Sequence, residues 1–313
     1  MYSQVCTRIC ISGPARRPGQ PCLANKGSSC ARLAPMKLAE QLEIILENRI
    51  AQDSLTLPLL PIIVAKANEV VRRTDATVKD LVATVELDPI LAAVVLRQGA
   101  AVGCRTLEQT VSKIGVQKIR SILAETSSHR VAESRDAKTA EATRMLWDHS
   151  RVVAILAQNV AILAGVEEPE VCFVAGLLHD IGKPVVATML LEAESQIAQR
   201  NPKLWSIDGD TWVGVVERTH RKIATTLAKK WQFPEEVQNA VLQFSDYDAA
   251  NRQSIGNAVH FANALAKQLG IALGEVSADD NDALVMVGRS LLGLDDDAVS
   301  RVAADAKARC HLT

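Results

Sequence analysis

Apolar residues recur with helical spacing along almost the whole chain after Met36, and this periodicity constrains the fold more than any other feature. Hydrophobic residues make up 48% of the sequence but aromatic ones only 3%, so the core must be built from Ala, Leu, Val and Ile. No segment sustains the alternating pattern of a strand. The sequence therefore predicts an all-α protein, a multi-helix bundle. The apolar spacing is clearest in two neighbouring segments: Ile223, Leu227 and Trp231, then Val237, Val241 and Phe244.

Short motifs mark where several of these helices begin and end. Thr77 with Asp80 three residues later has the pattern of a capping box. Asp88-Pro89 supplies an N-cap followed by a proline at the first helical position. Pro234, followed by two glutamates, predicts another helix start. Gly293 is expected to end a helix, and the aspartates at 295–297 to cap the next one.

Residues 1–35 differ from the rest of the chain. They contain five basic residues and no acidic one, so the remainder carries a formal charge of −6 within the chain's total of −1. They also hold four of the seven cysteines, with intervals of three, eleven and seven residues that match no common zinc pattern. A small zinc or disulfide knot and a targeting peptide are the alternatives to the interpretation we favour, a disordered leader. Cys104, Cys172 and Cys310 are isolated and are expected to be reduced thiols.

The body of the chain is predicted to divide near residue 135, where the sequence turns polar. Residues 38–134 form a first helical part, 135–271 a second part with longer helices, and 272–313 add further helices. No apolar stretch approaches the length of about 18 residues expected of a membrane span, so we predict a cytoplasmic protein that does not interact with membranes. The acidic body also argues against nucleic-acid binding. One basic group is interpreted as the solvated face of a helix: Arg218, Arg221, Lys222, Lys229 and Lys230.

Four polar positions lie in apolar helical settings: His149, His179, Asp180 and His220. A single histidine of this kind is usually a hydrogen-bonded core residue. Taken together, however, imidazoles and a carboxylate are ligands for Fe, Mn, Zn or Mg, and separate helices of a bundle can bring them to one point. Lys183 lies one helical turn after His179, where it could pair with a phosphate, and the alternative is an exposed surface lysine. The helix that carries His179 and Asp180 is expected to lie at the centre of the fold, with Leu177, Leu178 and Ile181 buried against Val152, Val153 and Leu156.

The sequence GLLHDIGKPV, with His149 upstream, resembles the HD superfamily of metal-dependent phosphohydrolases. Within this superfamily, the chain resembles most closely the HDOD subfamily, the HD-related output domain of bacterial signalling proteins. This closer resemblance rests on the amino-terminal half. Three segments carry this closer similarity: 57–71, 75–98 and 106–123. The resemblance covers about residues 38–270. It implies a helix bundle of the HD-domain type with a preceding helical subdomain, and a role in signal transduction, often coupled to cyclic dinucleotides.

The chain departs from the HD pattern at several positions. Phe244-Ser245 stand where the family often has a histidine pair, and Asn263 stands in place of the late aspartate. The segment after the helix of Asp88 is altered to Arg97-Gln98-Gly99-Ala100. His260 is a spare imidazole that is expected to cap or pack. What remains can hold one divalent metal loosely but is not expected to form a two-metal site.

Two functions remain open at this point. The first is a regulatory signal-transduction module with a degenerate phosphohydrolase site, which binds a signalling protein in trans or a nucleotide such as a cyclic dinucleotide. The second is a metal-dependent phosphohydrolase or phosphodiesterase that acts on a nucleotide, with Lys183 as a catalytic residue and His149, His179, Asp180 and His220 as metal ligands.

Overall fold

The computed structural model describes residues 38–55, 57–129, 133–200, 208–242, 246–274 and 276–310. Within these ranges the chain is all-α, with fourteen helices and no strand. The leader predicted for residues 1–35 lies outside the described residues, as does Phe244-Ser245. The helices are α1 Leu38–Ala51, α2 Pro61–Arg72, α3 Val78–Val85, α4 Pro89–Ala100, α5 Leu107–Ile114, α6 Val116–Ser127, α7 Ala137–Ala164, α8 Pro169–Leu178, α9 Gly182–Arg200, α10 Gly209–Lys230, α11 Glu235–Leu242, α12 Ile255–Gln268, α13 Ala278–Leu292 and α14 Asp296–Cys310.

The predicted helix boundaries are confirmed where local chemistry defines them. Thr77 and Asp80 form both hydrogen bonds of a capping box at the start of α3. The Asp88 carboxylate accepts the Leu91 amide at 2.8 Å and so caps α4. Gly293 ends α13 in the left-handed region at φ 69°, which only glycine adopts without strain, and Asp295 accepts the Ala298 amide.

The core is centred on α7, with α8 packed along it. Leu177, Leu178 and Ile181 are each fully buried, and so are the three α7 residues they were predicted to meet. The two helices approach so closely that a Cβ on Gly176 would lie 2.9 Å from the carbonyl oxygen of Val153. The predicted central position of the segment that carries His179 is therefore confirmed.

The next helix pair makes an equally close contact, where α9 begins against α10. A Cβ on Gly182 would overlap the carbonyl oxygen of His220, so only glycine fits at this point. The apolar face predicted for α10 is buried, with Ile223 and Leu227 fully covered. The basic residues predicted to form its solvated face are all exposed: Arg218, Arg221, Lys222, Lys229 and Lys230.

The altered segment after Asp88 has a structural role. Arg97 lies over the ring of Trp231 at 5.0 Å and pairs with Asp53 at 2.7 Å, which links α4 to the end of α10 and to the turn after α1. Gly99 leaves room for the side chain of Thr110. All fourteen helices belong to one unit, residues 37–313. The predicted division near residue 135 stays a prediction.

One expectation about apolar stretches is wrong. Residues Pro169–Gln196, which comprise α8, the turn at 179–181 and most of α9, are together long and apolar enough to cross a membrane by length and composition. However, 89% of the most apolar window is buried within the fold, as in the core helix of a soluble protein. The apolar character of this segment follows from its burial on all sides rather than from contact with lipid.

Candidate metal centre and adjoining cavity

Two histidines from different helices meet in the core. Nε2 of His149 on α7 lies 3.3 Å from Nε2 of His179, and their ring centroids are 5.2 Å apart. Nδ1 of His149 donates to the Ile271 carbonyl at 2.6 Å, and Nδ1 of His179 donates to the Gly176 carbonyl at 2.8 Å. Because a carbonyl can only accept, both protons are assigned to Nδ1. Both Nε2 atoms therefore present lone pairs to the same point.

The sequence had suggested that His179 and Asp180 lie inside a helix, but they do not. Helix α8 ends at Leu178 and α9 begins at Gly182, so the dipeptide occupies the turn between them. The turn is tight, with the Lys183 amide bonded to the Asp180 carbonyl at 2.8 Å. One ligand atom from each of His149, His179 and Asp180 lies within 4.8 Å of the others.

Lys183 is buried rather than exposed, so the alternative of a surface lysine is wrong. Its side chain is 12% exposed, and its ammonium lies 3.0 Å from Oδ2 of Asp180 and 3.2 Å from Oε1 of Glu217. Burial works to lower the pKa of Lys183, but the two carboxylates outweigh burial and raise it. The lysine is therefore a charged partner of Asp180 within the site.

The ionisation of the three clustered side chains follows from burial and from their neighbours. Burial, assisted by the His179 imidazole, lowers the pKa of His149 to about 3, and burial also lowers the pKa of His179. Burial acts to raise the pKa of Asp180, but His179 and Lys183 outweigh it and hold that pKa below its usual range. At neutral pH the cluster thus contains two neutral imidazoles and one carboxylate.

A cavity of about 350 Å³ adjoins the cluster. His220 lines it, and Nδ1 of His220 donates to the Val216 carbonyl at 3.1 Å, which leaves Nε2 available. His220 is not one of the three residues whose ligand atoms lie within 4.8 Å of one another, so its role as a ligand stays a prediction. The ionisable groups around the cavity are His179, Asp180, Lys183, Glu217, His220, Arg221, Asp246, His260, Lys267 and Asp280.

Asn263, at the position where the resemblance leads us to expect an aspartate, also lines this cavity. Its Oδ1 is buried and has no hydrogen-bond partner, and the same is true of Oδ1 of Asn281. His260, three residues before Asn263, stacks on Tyr247 with the centroids 4.4 Å apart. The expectation that this spare histidine packs is confirmed.

Four charged residues of the cavity were missed in the sequence, and two of them, Glu217 and Lys267, lie on the same helix as a residue already singled out. Glu217 precedes His220 by three residues on α10, and Lys267 follows Asn263 by four residues on α12. Both spacings place a residue on the same helix face as a residue already singled out. Burial lowers the pKa of Lys267. Same-face spacing was therefore the signal that could have identified Glu217 and Lys267.

Comparisons with known proteins bear on the family and the fold. The model of the HDOD domain family matches residues 57–247. An uncharacterised protein of Treponema pallidum (strain Nichols) is 24% identical over 199 residues, which cover 59% of this chain and 37% of that protein. The chain therefore matches little more than a third of the length of that relative.

Two solved structures share the fold. The crystal structure of the MmoQ response regulator from Methylococcus capsulatus has a TM-score of 0.56 and 21% identity, and the match covers 79% of this chain and 97% of that one. A virulence factor from Campylobacter jejuni has a TM-score of 0.53 and 14% identity, with coverages of 82% and 94%. At these identities the likeness shows the arrangement of helices.

Proposed function

The chain belongs to the HDOD domain family, and from this premise we propose that it is a regulatory module of signal transduction whose HD-type site is degenerate. The observation that carries the proposal is Asn263. An amide oxygen supplies no negative charge to a metal, and here that oxygen is buried without a partner beside the clustered histidines. A site with one carboxylate neutralises a divalent ion only in part.

The donor set still fits a single divalent ion, Fe, Mn, Zn or Mg. His149 and His179 each donate Nδ1–H to a backbone carbonyl, the usual outer support of a metal-bound imidazole. Asp180 would be the charged ligand, and Asn263 and His220 would complete the set. A bound ion of this kind would supply a Lewis acid that lowers the pKa of a water and polarises a phosphoryl oxygen.

The second candidate function is a metal-dependent phosphohydrolase or phosphodiesterase acting on a nucleotide. The observation in its favour is that ligand atoms of His149, His179 and Asp180 lie within 4.8 Å of one another. In this function Lys183 would leave Asp180 to pair with a phosphate. The incomplete carboxylate set makes it the second choice.

The regulatory role implies a binding partner. We expect a signalling protein that binds in trans, or a cyclic dinucleotide, for which the cavity of about 350 Å³ offers cationic and hydrogen-bonding groups. We further expect a cytoplasmic protein that does not bind nucleic acid or membranes, in line with the formal charge of −1 and the burial of the Pro169–Gln196 segment.

Hydrolysis assays separate the two functions. Purified protein is incubated with cyclic di-GMP and with bis(p-nitrophenyl) phosphate in the presence of Mn²⁺, Mg²⁺ or Fe²⁺, beside a His179→Ala variant. We expect the wild type to hydrolyse neither compound faster than the variant. Turnover that requires His179 would contradict the proposal and support the phosphohydrolase.

A substitution at Asn263 tests whether the site is degenerate for the stated reason. Asn263→Asp restores a carboxylate and is expected to raise Mn²⁺ affinity by about tenfold or more, measured by calorimetry. Asn281→Asp is the matched control, because it adds the same charge to the same cavity at an amide that bonds to the Ala264 carbonyl of α12. Equal gains in both variants would show that the charge of the cavity matters and the ligand position does not.

A further inference from the structure

One oxygen atom of the site has two competing uses. Oδ2 of Asp180 lies 3.5 Å from Nε2 of His179, on the side where a metal would bind. The same Oδ2 lies 3.0 Å from the ammonium of Lys183. The carboxylate oxygen best placed for a metal is therefore already paired with a cation that belongs to the chain.

The surroundings hold Lys183 in this position. Glu217 contacts the ammonium from α10 at 3.2 Å, so the lysine lies between two carboxylates. Both Lys183 and Asp180 have side chains that are only 12% exposed, and water screens a buried ion pair much less than a surface pair. The first turn of α9 also places Lys183 three residues after Asp180, within direct reach.

The positive charge of Lys183 would repel a metal ion bound to Asp180. A divalent ion bound to Asp180 would lie a few ångströms from an ammonium, and two cations at such a distance repel each other even in a well-screened protein environment. A metal must therefore either displace Lys183 towards Glu217 or bind against its charge.

We propose that Lys183 is a built-in competitor for the metal position, a tethered cation that holds Asp180 and keeps divalent metal affinity low. This inference rests on the proposed function, in which the site is regulatory, and it adds the group that controls its metal occupancy. In this proposal Asn263 weakens the attraction of the site for a metal ion. The ammonium of Lys183 takes the place of that ion beside Asp180.

Replacing the lysine tests the inference. Lys183→Met keeps an unbranched side chain of similar length and removes the charge. We expect Mn²⁺ affinity, measured by calorimetry on untagged protein, to rise at least about tenfold over the wild type. Lys267→Met is the matched control, since it removes an identical charge from the same cavity without breaking an ion pair to Asp180, and it is expected to change the affinity less than threefold.

Several results would overturn the inference. One is a Lys183→Met protein that binds Mn²⁺ no more tightly than the wild type. Another is an equal gain in Lys267→Met, which would mean that the general charge of the cavity limits metal binding. Lys183→Arg, which keeps the cation, must retain the low affinity of the wild type, and a gain in that variant also counts against the inference.

Loss of the buried cation leaves Asp180 and Glu217 facing each other, so Lys183→Met is also expected to be less stable without metal. If it does not fold alone, Lys183→Gln is used, and refolding with and without Mn²⁺ becomes the measurement. Recovery of folded protein only with Mn²⁺ supports the inference, and no recovery with Mn²⁺ overturns it.

The outcomes are independent of the hydrolysis assay. Turnover by the wild type would overturn the regulatory function whatever the metal affinities are. Tight Mn²⁺ binding by the wild type without turnover would overturn the role of Lys183 and leave the regulatory function standing.

Discussion

Nε2 of His149 faces Nε2 of His179 across 3.3 Å, although the two residues are thirty positions apart in the sequence. Each ring has its Nδ1 proton bonded to a backbone carbonyl, so neither Nε2 carries a proton to donate to the other. Two lone pairs at this distance are stabilised only when a cation or a proton lies between them. On this argument we expect the histidine pair to bind a cation or to share a proton.

Removal of either histidine should weaken metal binding. His179→Ala is expected to lower the Mn²⁺ affinity by at least about tenfold, because the ion loses one of its imidazole ligands. Electron paramagnetic resonance of free Mn²⁺ measures this even where binding is weak. His260→Ala serves as the control, since this histidine lines the same cavity but stacks on Tyr247. A loss of equal size in both variants would place the metal elsewhere in the cavity.

Truncation of Leu178, which lies at the centre of the fold, should lower the stability of the protein by a measurable amount. Leu178 is fully buried against α7, so Leu178→Ala should lower the free energy of unfolding by about 2–5 kcal/mol. Urea denaturation followed by circular dichroism gives the value. Ile162 is the control: it lies on α7 and is 61% exposed. Ile162→Ala should therefore change the free energy of unfolding by less than about 0.5 kcal/mol. Similar values for both variants would contradict the central packing of α8.

A pair of glycine substitutions should have opposite signs. Gly182→Ala places a methyl group against the backbone of His220 and should destabilise the protein by about 1–3 kcal/mol. Gly214 lies inside α10 with no atom nearer than 3.9 Å to its added Cβ, so Gly214→Ala should stabilise by about 0.5–1 kcal/mol. Thermal denaturation of the two variants measures both effects. A Gly182→Ala variant as stable as the wild type would show that α9 and α10 pack less closely than described.

The buried carboxyl of Asp88 should make stability depend on pH. Asp88 is fully buried and accepts both the Leu91 amide and, at 2.5 Å, the indole N–H of Trp147. Burial outweighs these hydrogen bonds and raises the pKa of Asp88. Since the pKa is higher in the folded state than in the unfolded chain, the contribution of proton binding is present at low pH and is lost as pH rises through the folded pKa.

Asp88→Asn removes this titration and leaves one of the two donors, the Trp147 indole N–H or the Leu91 amide, without an acceptor oxygen, at a cost of about 1–3 kcal/mol. The stability advantage of the wild type over Asp88→Asn should therefore be larger at pH 5 than at pH 7.5, measured by urea denaturation. Asp208, an exposed cap whose pKa is lowered by its bonds to Thr211, gives the opposite trend: the advantage over Asp208→Asn should shrink as pH falls. A wild-type advantage over Asp88→Asn that grows with pH would contradict the buried-carboxyl argument.

The helices could be predicted because their signals are local. The capping box at Thr77 and the Asp88-Pro89 start each act within one turn of the helix they begin, so no distant contact is needed to read them. The break between α8 and α9 could not be predicted in this way. The apolar periodicity continues through His179 and Asp180, yet α8 ends at Leu178 and α9 begins at Gly182, a break that sequence spacing does not contain.

Only part of the site could be predicted from the sequence. The meeting of His149 with His179 was expected from family resemblance, because no spacing rule connects residues thirty positions apart. The environment of Lys183 was not foreseen, since one turn of helix after His179 predicts a shared face and says nothing about Asp180 or Glu217 as partners. Charged pairs between helices depend on crossing geometry, which the pattern along a single helix does not encode.

Gly176 and Gly182 stand on either side of the His179-Asp180 turn, and each lets one main chain rest directly on another. The position of the turn is thereby set by backbone rather than by side-chain volume. Side chains further along these helices can then be exchanged over evolution without moving the turn. A scaffold of this kind can change individual side chains of the site while its shape persists.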